Sequence, residues 1–267
     1  MPPKREEETE NCPSGRSCAI GKSISPGIPY LFNEPVSSNT SALTFCNPAN
    51  AKKISKLAFE EMLEMASTGA KVLHTRSVEL AMKNNLVLQV LSSITKKTGT
   101  LIVDDKKLIE KEIVSGLSYT KNDSMITISG IQDKPGISAR IFGLLASENI
   151  NVDMIVQNIS QDGLSANITF TVPNRDINSV KLILNKNIKK INFRSLKTNN
   201  KISKISVIGM GMMSQSGVAQ KMFKTLANNN INILAISTSE IKISVLIDEK
   251  YTNVAIESLH KSYNLKK

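Results

Sequence analysis

The sequence has no tryptophan, and aromatic residues make up only 4% of its 267 positions. Apolar residues still reach 40%, so we expect small aliphatic cores instead of one large aromatic core. No apolar run approaches the length of about 18 residues that a membrane span needs, and the first residues lack the apolar stretch of a secretory signal. These absences predict a chain with no membrane partner.

Cysteine is also scarce, because Cys12, Cys18 and Cys46 are the three cysteines of the chain. All lie near the start, so the rest of the chain must fold without disulfides, which suits a reducing cytoplasm. Cys12 and Cys18 have no His or Cys partners at a zinc-binding spacing, and we therefore predict no metal site.

The net charge of +11 favours nucleic-acid binding at first sight. The lysines, however, are dispersed among Ile and Asn, and no basic stretch is interleaved with aromatic residues for base stacking. The densest basic cluster, residues 185–201, is typical of a solvated connection. We predict that the chain binds no nucleic acid.

Residues 1–49 contain seven of the nine prolines and show no helical or alternating pattern. We predict that this stretch is disordered. It includes "GRSCAIGKS", which resembles a phosphate-binding loop but has five residues between Gly15 and Gly21. That motif requires four, so the match is attributed to chance.

Regular patterns begin at residue 51. Apolar residues at helical spacing predict a helix that ends at Gly69, and "HTRSVELAMKNN" predicts a second one with Thr75 or Ser77 as its N-cap. Strands are predicted at residues 86–93 and 99–103. After a polar linker, "IVSGLSYTKNDSMITISGI" predicts a β-hairpin that turns at "KND".

A turn-helix-turn motif then occurs twice, with Gly136 and Gly217 at equivalent positions 81 residues apart. The strands before them match at an offset of 79, so the second copy has two extra residues in its strand-to-helix loop. Each copy reads as βαββαβ, the ferredoxin-like order. The other pairs at the offset of 81 are Phe142 and Phe223, Leu145 and Leu226, Ala146 and Ala227, Ile150 and Ile231, and Asn151 and Asn232.

The glycine turn brings backbone N–H groups to a helix N-terminus, where a carboxylate is favoured. Asp153, near the next strand, would suit an ammonium group, so the two features together could hold an amino acid by both ends. The alternative is an ordinary turn beside a solvated aspartate. The second copy has Leu234 where the first has Asp153, and we expect the first copy to be the better binder.

The motifs "DKPG", "NVDMIVQN" and "NINILAISTSEIKISVLI" resemble the paired ACT domains at the C-terminus of aspartate kinases. "AKKISKLAFEEMLEMASTGAKVLHTRSVELAMKNN" resembles the end of the catalytic domain of the same family. The resemblance implies an α+β fold in which two tandem ferredoxin-like ACT domains follow a small α/β remnant of an amino-acid-kinase domain. The domains so predicted are 50–104 for the remnant, and 112–198 and 202–267 for the ACT pair.

By this resemblance, the parent enzymes phosphorylate L-aspartate with ATP and Mg²⁺, in the first step of lysine, threonine and methionine biosynthesis. The ACT pair would bind lysine and/or threonine as feedback inhibitors and form homodimer contacts. Pockets of this kind combine the loop of one ACT unit with the strand of another, so a second chain can supply half of each. The resemblance places nucleotide contacts at Lys71 and Val72. It places effector contacts at Asp133, Lys134, Pro135, Gly136, Ile137, Ser138, Asn151, Val152, Asp153 and Gln157, and at Val218, Ala219, Asn232, Ile233 and Ser239.

The sequence lacks the Lys-Phe-Gly-Gly-Thr-Ser-like motif with which this family begins, so no catalytic residue is assigned and no productive ATP binding by the chain alone is expected. Ala219 also replaces a threonine that some members carry, which leaves the second effector open. Three interpretations follow: a truncated or fused kinase, a regulatory subunit of a separate catalytic chain, or a free-standing ACT sensor. The kinase-like residues 51–103 argue against the sensor.

Overall fold

A computed structural model describes residues 53–70, 72–91, 98–108, 112–160, 163 and 165–265. The predicted disorder of residues 1–49 lies outside these ranges. The described chain forms three sheets, one in an N-terminal segment and one in each of the two repeated units. The fold is α+β, as predicted.

The N-terminal segment, residues 53–103, is a small α/β layer. Its predicted first helix is preceded by a short strand, and its second helix is capped by the ring of His74, which accepts a hydrogen bond from Arg76 N at 3.3 Å. The predicted caps Thr75 and Ser77 are wrong, because both residues already lie inside the helix. The elements are β1 (Lys56–Ala58), α1 (Phe59–Ser67), α2 (Thr75–Lys83), β2 (Leu88–Val90) and β3 (Thr100–Val103), in the sheet order β1-β3-β2.

The two repeated units each place helices on one face of a four-stranded antiparallel sheet. The first sheet has the order β6-β7-β5-β8 and the second β10-β11-β9-β4. The elements of this region are β4 (Gly116–Thr120), β5 (Asp123–Gln132), α3 (Ile137–Ala146), β6 (Ile155–Ile159), β7 (Ser165–Pro173), α4 (Ile177–Lys186), α5 (Ile188–Ile191), β8 (Ser195–Asn199), β9 (Ile202–Ile208), α6 (Val218–Asn228), β10 (Ile233–Thr238), β11 (Lys242–Asp248) and α7 (Thr252–Ser262).

Strand β4 does not pair with β5, so the predicted hairpin is wrong. It pairs with β9 of the second unit, with Leu117 opposite Val207. The chain leaves the second sheet after Thr120, builds the whole first unit from Asp123 onward, and returns at Ile202. Alternating apolar residues predict a strand but do not show which strand it pairs with. Strand β4 pairs in the second sheet because Leu117 is buried in the core that this sheet forms with α6 and α7.

Each unit has its own aliphatic core, in agreement with the low aromatic content. In the first, Ile126 and Leu145 pack around Phe170, whose ring meets Phe142 edge-on at 5.5 Å between centroids. A small third cluster of Met154, Ile202 and Leu246 joins the two sheets. The units are therefore in direct contact.

The loop after β9 packs closely against the chain that enters β4. A Cβ at Gly209 would lie 2.3 Å from the backbone oxygen of Ile113. We expect Gly209→Ala to lower the free energy of unfolding by about 2 kcal/mol, because backbone must move to admit the methyl group.

In contrast, a Cβ at Gly143 within α3 would meet no described atom within 4 Å, and Gly143→Ala should raise the free energy of unfolding by about 0.5–1 kcal/mol. Urea unfolding checks both, and destabilisation by Gly143→Ala would contradict the helical geometry.

Candidate functional site

The first strand-to-helix loop, residues 133–136, is exposed and ends at Gly136, whose φ of 88° lies in the left-handed region. No described side chain caps α3 there. The N–H of Ile137 donates to the carbonyl of Lys134 at 3.3 Å, which leaves the amides of Ser138 and Ala139 to receive a carboxylate. Ser138 in the first turn donates from Oγ to Oε1 of Gln157 on β6 at 3.2 Å. The structure thus brings the loop, Ser138 and Gln157 together.

The structure separates Asp153 from this loop. Strands β5 and β6 are both antiparallel to β7 and so run parallel to each other. Gly136 follows the end of β5, whereas Asp153 precedes the start of β6, and the ten residues of α3 between them span roughly 15 Å. One unit alone therefore cannot hold both ends of an amino acid with Gly136 and Asp153. The predicted arrangement requires Asp153 from another copy.

Asp153 also has a partner that the sequence did not suggest. Lys204 of β9 binds Oδ2 of Asp153, and its Nζ lies 3.0 Å from Oδ2 of Asp123. The Lys204 side chain is 5% exposed and that of Asp153 is 56% exposed. Burial acts to lower the pKa of Lys204, but the attraction of Asp153 and then Asp123 outweighs it and raises this pKa above its ordinary value. The cluster ties the first unit to the centre of the second sheet.

In the second copy, Val218 and Ala219 begin α6, Asn232 and Ile233 lie where β10 begins, and Ser239 lies in the turn after β10. This copy repeats the first in having Gly217 at a φ of 92°. Val218 is buried, and its carbonyl accepts a hydrogen bond from the Tyr263 hydroxyl at 2.7 Å. Burial raises the pKa of Tyr263 above its ordinary value, so the hydroxyl remains a donor at neutral pH.

The first half of the second loop is held by the N-terminal segment. The backbone N–H of Met210 donates to the carboxylate of Glu61 in α1 at 2.8 Å. A Cβ at Gly211 would lie 2.6 Å from Cα of Ile113. Neither Glu61 nor Lys204 was singled out from the sequence, because a glutamate in a helix and a lysine in an alternating strand are typical of solvent-facing positions.

Of the two predicted nucleotide contacts, the structure describes only Val72. Lys71 lies outside the described residues, and the neighbouring Val72 is half-buried against the core of the N-terminal segment. Among the residues that the structure describes, no group of three or more His, Cys, Asp or Glu side chains could hold a metal ion. The nucleotide site therefore stays a prediction.

A polar cavity of about 350 Å³ opens at the end of the first sheet from which the 133–136 loop departs. It contains Arg194 next to Gly130, where an added Cβ would lie 2.7 Å from the Cβ of Arg194. The predicted effector residues do not line it. The lining is completed by Gln132, Ser165, Asn192 and Phe193.

Both repeated units match a known domain family. The sequence model of the ACT domain matches residues 126–188 and 205–263, one match in each repeated unit. The chain therefore contains two ferredoxin-like ACT domains, with the first inserted after β4 of the second.

The relatives define the family. Aspartokinase from Helicobacter pylori is 47% identical over 219 residues, which are 80% of this chain and 53% of that protein. A chain in a crystal structure of aspartokinase alpha and beta subunits is 44% identical, with 57% of this chain and 99% of that chain covered and a TM-score of 0.53. The ligand-free regulatory subunit of aspartate kinase from Thermus thermophilus is 32% identical, with 56% and 98% covered and a TM-score of 0.53.

The chain belongs to the aspartate kinase family, and its two ACT domains correspond to the regulatory portion of that family. It spans about half the length of the curated relatives that it matches. Within the described residues, no helix is long and apolar enough to cross a membrane.

Proposed function

We propose that this chain senses a feedback-inhibitor amino acid, lysine or threonine, in its first ACT unit, and that it transfers no phosphate by itself. The observation that carries the proposal is the uncapped, exposed α3 N-terminus at Gly136, with Ser138 held beside Gln157. The carboxylate of the effector would bind the amides of Ser138 and Ala139 in the first turn of α3. The Ser138 hydroxyl, which now donates its one proton to Gln157, would turn to the effector and supply a further hydrogen bond.

The ammonium end of the effector would meet Asp153 of a second copy. Within the described chain, β6 is an edge strand, and Ile155 and Ile159 on it are 50% and 63% exposed. Two copies related by a two-fold axis would pair their β6 strands antiparallel, which sets the start of one strand beside the end of the other. Asp153 of one chain would then face the Gly136 loop of its partner. The exposed edge strand β6 therefore supports both the homodimer and the site shared between two chains.

The second unit is a poorer candidate for this site. Ala219 stands where the first unit has Ser138, so a hydroxyl donor is missing. Leu234 stands where the first unit has Asp153, and the loop is held to α1 through Met210. A missing hydrogen bond to a charged ligand costs about 1.5–3 kcal/mol. We therefore assign one effector per chain.

Phosphorylation of L-aspartate with ATP and Mg²⁺, the proposed first step toward lysine, threonine and methionine, would require a catalytic aspartokinase chain. Phosphoryl transfer depends on positioning both substrates and the metal, and the predicted contacts in this chain are Lys71 and Val72 alone. Coverage of nearly all of a regulatory-subunit chain favours such an association over a free-standing sensor. A coupled assay with ATP and aspartate should show no turnover by this chain alone, and turnover would overturn this part of the proposal.

A matched pair of glycine substitutions tests the site. Gly136 and Gly217 have φ values of 88° and 92°, and a Cβ at either would meet no described atom within 4 Å. Alanine at each should therefore cost the same backbone strain, about 1–2 kcal/mol of the free energy of unfolding. Only Gly136→Ala should weaken binding of L-lysine or L-threonine in calorimetry, by about tenfold. Equal weakening by both variants would contradict the assignment to the first unit.

A further inference from the structure

The carboxylate of Glu61 is buried, with 3% of the residue exposed. Its Oε1 accepts hydrogen bonds from the Ser115 hydroxyl at 2.6 Å and from the backbone N–H of Met210 at 2.8 Å. Its Oε2 accepts from the backbone N–H of Ala58 at 3.1 Å. A buried carboxylate is tolerated only when such donors satisfy it. The charge therefore fixes the three donors relative to one another.

These donors belong to three different parts of the fold. Ala58 is the N-cap residue of α1, Ser115 directly precedes β4, and Met210 begins the 3-10 turn in the loop between β9 and α6. The same helix makes further contacts with the second unit, since Glu64 pairs with Lys242 of β11 at 2.7 Å. The carboxylate thus lies at the junction between the N-terminal segment and the second ACT unit.

The two extra residues of the second copy lie in this loop. The offset between the copies is 79 before the loop and 81 after it, and the longer loop includes the 3-10 turn Met210–Met213. The equivalent loop of the first copy, residues 133–136, is exposed. The contact between the Met210 N–H and Glu61 therefore belongs to the longer of the two loops.

We propose that Glu61 is a positioning residue that couples the second ACT unit to the N-terminal segment, so that a displacement of the Met210 loop moves α1. The second loop then acts as a mechanical connection, in place of an effector site. This inference rests on the proposed function for the origin of the signal, because an effector bound in the first unit would displace the second unit through Lys204. The coupling itself is independent of any ligand.

Hydrogen exchange followed by mass spectrometry on the full chain tests the coupling without a ligand. Glu61→Ala should speed amide exchange in α1 and in residues 209–214 together, by about tenfold, and leave α3 and β7 unchanged. Glu61→Gln, which keeps one acceptor oxygen for Ser115 and Met210, should restore most of the protection. Glu64→Ala is the matched control on the same helix and should leave residues 209–214 as in the wild type. Faster exchange in α1 alone, or equally throughout the chain, would overturn the proposal.

A second arm adds L-lysine or L-threonine at saturation. In the wild type, the effector should change exchange in the first unit and in α1, and in Glu61→Ala the change in α1 should be lost. A change in α1 that persists in Glu61→Ala would overturn the proposal. If neither amino acid binds in calorimetry, the proposed effector function fails, and the ligand-free comparison still decides the role of Glu61.

Discussion

Replacing Lys204 with methionine should lower the free energy of unfolding by about 3 kcal/mol. The lysine side chain is almost fully buried between the two ACT sheets and neutralises Asp123 and Asp153. Methionine preserves much of the volume but leaves the carboxylate of Asp123, of which only 17% is exposed, without its cation. Denaturant unfolding at neutral pH measures the loss.

Lys121→Met is the matched control, because Lys121 pairs with Glu249 at 3.7 Å at the surface. An exposed pair contributes about 1 kcal/mol or less. The pH dependence gives a second check. Since the pKa of Lys204 is raised in the folded state, its contribution is present at neutral pH and is lost only as the pH rises above 10.5, the ordinary lysine value. Equal losses in the two variants would show that the Lys204 cluster does not join the units.

Replacing Asp153 with alanine should weaken binding of the effector by about 10- to 100-fold, because a hydrogen bond between charged groups is lost. Leu234→Ala is the matched control, since Leu234 is the equivalent residue of the second unit, and it should bind the effector as the wild type does. Asp153→Ala also removes one partner of Lys204. Calorimetry must therefore be run at a temperature at which unfolding curves show the variant to be folded.

Mixing variants tests whether the site is shared between two chains. If Gly136 of one chain faces Asp153 of its partner, a heterodimer of Gly136→Ala and Asp153→Ala contains one site with both changes and one with neither. An equimolar mixture should therefore regain about a quarter of the wild-type high-affinity capacity. Sites built within one chain would regain none. The same mixture analysed by sedimentation reports whether the dimer forms.

Much of the fold could be predicted from the sequence because the two copies of the repeated unit still resemble each other. The constant offset from Gly136 to Gly217 identified two copies of one unit, and the alternation around Ile126 and Ile205 identified their central strands. The offset could not show that the first copy is inserted after β4. Strand pairing between Leu117 and Val207 spans the whole first unit, and local patterns carry no information over that distance.

For a similar reason, the structure brings some of the predicted site residues together and separates others. Gly136, Ser138 and Gln157 come together because a short loop and the adjacent strand bring them there. Asp153 was grouped with them by sequence proximity, whereas α3 carries it to the other end of the sheet, beside Lys204. The roles of Lys204 and Glu61 could be recognised only from their burial in the structure, because lysine and glutamate are usually exposed.

The most direct test of the central claim is a calorimetric titration of the full chain with L-lysine and, separately, with L-threonine. The account predicts binding of at least one of them with one equivalent per chain, abolished or greatly weakened in Asp153→Ala and unchanged in Leu234→Ala. Two equivalents per chain would contradict the assignment of the effector to the first unit. The absence of binding by both amino acids at millimolar concentration would contradict the sensor function itself.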